Sequence, residues 1–118
     1  MTPLLASLLL ACADPCPDLD VSSTDAILRV TASPDRDSLV PPRNEAALSL
    51  RSVAGFSATG TVELRDWTCF VVPADTPVEV VAWTDPDLPI TCEGSEWEEV
   101  PAGEVRDLDV EIFCGQGI

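Results

Sequence analysis

Short runs of alternating or β-branched residues, cut apart by proline, glycine and aspartate, restrict this chain to strands. The runs cover residues 26–32, 46–53, 60–64, 68–72, 78–84, 88–92 and 105–114. Between them stand Ser33-Pro-Asp, Pro41-Pro-Arg-Asn, Ala54-Gly, Pro73-Ala-Asp, Asp85-Pro-Asp, Glu93-Gly-Ser and Pro101-Ala-Gly. Each supplies turn chemistry: fixed φ from Pro, positive φ from Gly, or side-chain bonds back to the backbone from Asp and Ser. Eleven prolines argue against long helices, because an internal Pro removes one backbone bond and clashes with the preceding turn. Only residues 44–52 could pass for a helix, and there Leu48-Ser-Leu50 alternates with the period of a strand. About seven strands at this spacing predict an all-β fold, a single antiparallel β-sandwich over residues 25–118.

Within that fold, Val78-Glu-Val-Val-Ala-Trp83 is apolar on both faces near its end and reads as a central strand. Leu108-Asp-Val-Glu-Ile-Phe-Cys114 alternates more cleanly and reads as a strand with one wet face. Trp67 shares parity with Cys69 and Val71, and Trp83 with Val81, so both are expected in the core. Trp97 falls in Gly94-Ser-Glu-Trp-Glu-Glu99, which reads as an acidic, hairpin-like loop. Its ring either folds back over the Cys92 region or stands out as an anchor for a partner, a role that favours Trp. Val40-Pro-Pro, Val72-Pro-Ala-Asp and Val100-Pro-Ala-Gly echo one another, each leading within a few residues into an alternating run. The echo is too short and uneven for a repeat array, and reads as one turn solution reused at several corners.

The first sixteen residues carry a separate message. A short apolar run ends in Leu9-Leu10-Ala11-Cys12, and the acidic, proline-bearing Ala13-Asp-Pro-Cys16 follows at once. Eight apolar residues are too few to span a bilayer as a helix, but they suit the core of a cleavable export signal. The order resembles the signal and lipobox of a bacterial lipoprotein. It departs from that pattern in having no Lys or Arg before the apolar run, which a true start further upstream would explain. The resemblance implies that residues 1–11 are a signal peptide, that Cys12 is acylated, and that residues 12–24 form a lipidated N-terminus and tether. Plain secretion, with cleavage near Ala11 or Ala13, and a frayed N-terminal strand are the duller alternatives. In lipoproteins of that kind Asp after the acceptor favours the inner membrane, so with Ala13 there the resemblance implies the outer membrane, at its periplasmic face or the cell surface. Acylation with two or three chains would anchor the protein stably.

With Cys12 set aside, Cys16, Cys69, Cys92 and Cys114 make an even set in a compartment where disulfides persist. Three pairings are possible. Cys92 shares strand parity with Ile90, and Cys114 with Leu108, Val110 and Ile112, which favours Cys92–Cys114 and leaves Cys16–Cys69 to pin the tether. A zinc site is the rival for these cysteines, but there is no C-x-x-C pair and no His in the chain.

The same absence removes histidine-based nucleophilic catalysis. No phosphate-binding glycine loop occurs. The charge of −15, from 21 acidic and 6 basic residues, argues against nucleic acid, which requires a cationic footprint. It argues equally against electrostatic adhesion to anionic lipids. All six basic residues are Arg, at positions 29, 36, 43, 51, 65 and 106. Acidic pairs are abundant, but nothing in the sequence assembles them into a glycosidase cleft. Asp107, Asp109 and Glu111 alternate on one strand face, and calcium is the cofactor such oxygens could take. A solvated strand face is the plainer account.

Phe70-Val-Val-Pro-Ala-Asp-Thr-Pro-Val-Glu-Val-Val-Ala82, with 101–110, resembles transthyretin-like and carboxypeptidase-regulatory-type sandwiches over about half the chain. The resemblance implies a fold and no activity. The expectation is therefore a lipid-anchored cell-envelope protein, not an enzyme, that contacts another envelope protein through Trp97 and the proline-led corners. A calcium-stabilised extracellular adhesion or ligand-binding module is the alternative, and a small secreted enzyme or inhibitor a remote one.

Overall fold

The computed structural model describes residue 16 and residues 21–84 and 87–116. The expected signal peptide, the acceptor Cys12 and most of the tether lie outside the described residues, as do Asp85 and Pro86 of one expected turn. Seven strands form: β1 (Asp25–Pro34), β2 (Glu45–Ser52), β3 (Ser57–Glu63), β4 (Thr68–Pro73), β5 (Val78–Trp83), β6 (Ile90–Glu98) and β7 (Val105–Gln116). They join in one sheet, ordered β3-β2-β5-β6-β7-β1-β4, that rolls nearly into a barrel. Phe70 on β4 lies against Gly60 on β3, where a Cβ would stand 3.0 Å from the ring. The two edges of the sheet thus meet across the interior.

The roll depends on β7. Its residues 105–112 pair with β1, and its residues 113–116 pair with β6. Where β7 changes partner, Gly94 of β6 lies so close that a Cβ would collide with the Glu111 carbonyl oxygen. A residue without a side chain is what permits this approach. Two limbs result, β4-β1-β7 and β7-β6-β5-β2-β3. The connection from β1 to β2 runs beside β7, with the Asp35 N–H donating to the Ile112 carbonyl (2.8 Å) and the Leu39 N–H to the Cys114 carbonyl (2.9 Å).

Two expectations are corrected. The strands are not all antiparallel: β1 and β7 run parallel, in register from Ile27↔Val105 to Pro34↔Ile112, while the other five pairings are antiparallel. Alternation reports which face a residue takes and carries nothing about the direction of a neighbour. Also, β6 continues through Glu93-Gly-Ser to Glu98, where a turn and a loop were expected. Glu and Gly are poor strand formers, but the ladder to β5, from Val78↔Glu98 to Trp83↔Glu93, overrides local preference.

The interior is built from the inward positions of all seven strands. Leu28 and Val30 of β1, Leu48 and Leu50 of β2, Val78 and Val80 of β5, and Val110 and Ile112 of β7 are buried in one cluster, with Val100 from the β6–β7 connection. The proline-led corners lock together at one end. The Asp75 N–H donates to the Val100 carbonyl (2.8 Å), the Ala74 N–H to Thr24 (2.9 Å) and the Gly103 N–H to Asp25 (3.0 Å). Asp75 (φ 56°) and Gly103 (φ 74°) both take the left-handed conformation there, which Gly adopts freely and Asp tolerates.

Two disulfides hold the fold, Cys16–Cys69 and Cys92–Cys114, the pairing expected from strand parity. Cys92 and Cys114 are register partners on β6 and β7, both buried.

Candidate functional site

Among the described residues the depressions are shallow and open rather than enclosed, and the candidate sites are two outward faces of the sheet. The first lies on the limb β4-β1-β7. Leu28, Val30 and Ala32 point inward and are buried, which turns Arg29 outward between them. Parallel register sets Arg29 beside Asp107 on β7, and antiparallel register sets it beside Cys69 on β4. Its Nε donates to Asp107 Oδ1 (2.5 Å) and its Nη2 to Oδ2 (2.8 Å), a two-pronged pair. The guanidinium carbon lies 5.9 Å from the centre of the Trp67 ring, within reach of a cation–π contact.

The pair shifts the acid. The hydrogen bonds from Arg29 hold the Asp107 carboxyl below its usual range; partial burial opposes this and the Arg29 charge adds to it. Val105, half exposed, and Arg106 complete a shallow depression around Arg29 and Asp107. Cys16 is bonded to Cys69 on this same face. Thr31, next outward on β1, is 3% exposed, and its hydroxyl has no hydrogen-bond partner among the described residues.

The second face lies on β2, β5 and β6. Trp97 stands opposite Glu79 of β5 and is 54% exposed. Arg51 of β2 reaches over to Glu79, Nε to Oε1 at 2.8 Å. Val53, at the tip of the β2–β3 turn, is 89% exposed. Gly55 (φ 101°) makes that turn possible, and the Ser52 hydroxyl accepts the Ala54 and Phe56 N–H groups (3.2 Å each). Arg51, Ser52, Val53, Glu79 and Trp97 line one shallow depression. In the order of the rolled sheet β1 lies across the core from β2 and β5, so the two faces point away from each other.

Of the residues expected to carry function, Trp97 is exposed on a strand and does not fold back over Cys92. Asp107, Asp109 and Glu111 are all exposed along β7, but Asp107 is occupied by Arg29. Among the described residues no three His, Cys, Asp or Glu side chains come together as a metal site. Cys12 lies outside the described residues.

Trp67 and Trp83 are corrections. Trp67 is 36% exposed and Trp83 is half-buried, both on outward positions. Parity was right for each, but Val72 and Val80 line the interior, so the faces were assigned the wrong way round. Arg29 and Trp67 were missed as a unit. A lone charge between Leu28 and Val30 signals an outward Arg, but its partners depend on pairings between residues far apart in the chain.

The fold and its faces define an acidic all-β domain closed by two disulfides. No family model, curated protein or solved structure matches this chain. No helix among the described residues is long and apolar enough to cross a membrane.

Proposed function

We propose that this chain is a lipid-anchored protein of the bacterial cell envelope, exported by residues 1–11 and acylated on Cys12, with a non-catalytic domain that binds another envelope protein. The observation that carries the binding role is the Trp97 face. An indole more than half exposed, beside an exposed valine and an Arg–Glu pair, is the composition of an interface centre with a polar rim. A lone exposed aromatic needs no explanation, but here Trp97 and Val53 share one depression. We read the rolled sheet as a sandwich of the immunoglobulin-like or transthyretin-like kind, a scaffold that commonly carries binding surfaces and fixes no activity by itself.

The test is a cross-linking pull-down from native cells, read by mass spectrometry, with the wild-type chain, Trp97→Ala and Cys12→Ala. One partner recovered with the wild type and depleted at least about tenfold with Trp97→Ala is expected, since losing a hot-spot Trp costs about 2 kcal/mol or more. Stability should move by less than about 0.5 kcal/mol in that variant, as for an ordinary surface change. Recovery of the same proteins from wild type and Trp97→Ala would remove the binding role from this face. Soluble Cys12→Ala protein alongside membrane-bound wild type is the outcome expected of the anchor.

A further inference from the structure

We infer that the Cys16–Cys69 disulfide orients the domain on the bilayer, holding the outward face of β4-β1-β7 against the lipid head groups and the Trp97 face away from them. The inference rests on acylation of Cys12. Cys16 follows Cys12 by four residues in the sequence, and an extended chain covers at most about 3.6 Å per residue. From the acylated residue to the sulfur fixed on Cys69, the backbone therefore spans no more than about 14 Å. Cys16 is thus fixed to Cys69 on β4, at the edge of the face and directly beside Arg29. If the first fixed point were instead β1, which begins at Asp25, thirteen residues would separate domain and lipid. That length would allow about 45 Å, enough for any face to turn toward the membrane.

The chemistry of the face suits that neighbour. Trp67 and Val105 are exposed apolar side chains of this face, with Phe113 a third further along β7, and Trp is at home at the head-group level, where a ring can be half apolar and half wet. The Arg29 charge beside Trp67 is matched by Asp107, so the centre of the face brings no unpaired anion toward anionic lipid. Asp109 and Glu111, further along β7, are exposed and keep the contact shallow. The attachment comes from the acyl chains, and the disulfide supplies direction. The same geometry turns Arg51, Val53 and Trp97 outward, across the core from the lipid.

The test reads depth with the three tryptophans of the intact lipidated chain. Trp83→Phe is combined with Trp97→Phe to leave Trp67 alone, or with Trp67→Phe to leave Trp97 alone. Each protein is placed in phosphatidylcholine–phosphatidylglycerol vesicles doped with a head-group spin-labelled lipid, and mass spectrometry verifies acylated Cys12. Quenching of Trp67 at least threefold stronger than that of Trp97 is expected. Repeating the pair in Cys16→Ser/Cys69→Ser chains, checked for folding by circular dichroism, should bring the two toward equality. Equal quenching in acylated chains with the disulfide intact overturns the orientation and leaves the anchor standing. Absence of acyl groups on Cys12 overturns both.

Discussion

Arg29 keeps Asp107 ionised further into acid than a free carboxylate, and this makes one ion pair readable in solution. A carboxyl whose pKa is lower in the folded state stabilises the fold above its unfolded value, near 3.9. That contribution is lost as pH falls through the lower folded value. Both partners are partly exposed, so screening keeps the effect small. Asp107→Asn is expected to lower stability at neutral pH by about 0.5–1 kcal/mol. In urea titrations the gap from wild type should close below about pH 4; a gap that persists unchanged in acid would refute the assignment. Gly94 makes the opposite kind of prediction, one governed by shape. Gly94→Ala drives a methyl into the Glu111 backbone and should cost about 1–3 kcal/mol in the same assay. A neutral result would mean that β6 and β7 part more easily than their packing indicates.

At the level of elements, β7 decides the architecture. It is the longest strand, and it ties one limb to the other by exchanging β1 for β6 along its length. The Cys92–Cys114 bond spans 22 residues at the place where β6 and β7 are still paired. By the entropy of the closed loop, removing it should cost about 3 kcal/mol. A Cys92→Ala/Cys114→Ala chain is therefore expected to show a clearly lower denaturation midpoint, and an unchanged midpoint would mean that the ladder alone fixes the closure. The alternation in 108–114 was legible because each inward residue meets the same interior. The parallel partner of that strand was not, since β1 lies more than seventy residues earlier and nothing local records its direction.

For the whole molecule, a charge of −15 opposes compaction by self-repulsion. Any salt that shortens the screening length should help, from about 30 Å at 0.01 M to about 8 Å at physiological strength. Calcium and magnesium at equal concentration are expected to raise the melting temperature equally, through screening. An excess for calcium would point instead to ligation by Asp107, Asp109 and Glu111, a site with more oxygen ligands than one strand face supplies.

What the sequence determined by itself is what depends on nearest neighbours and on counting. Alternating runs separated by turn residues gave seven strands, and strand parity selected Cys92–Cys114 from three possible pairings. Only the tertiary structure decided which outward residues meet: that Arg29 finds Asp107 and Trp67, that Trp97 shares a surface with Val53, and that Cys16 fastens to the opposite face. It also made a strand of Glu93-Gly-Ser, whose composition argues for a turn. The physical reason is the same in each case. Side-chain direction follows from the two-residue period of a strand, whereas partners follow from register and strand direction across the rolled sheet, which only the packed core fixes.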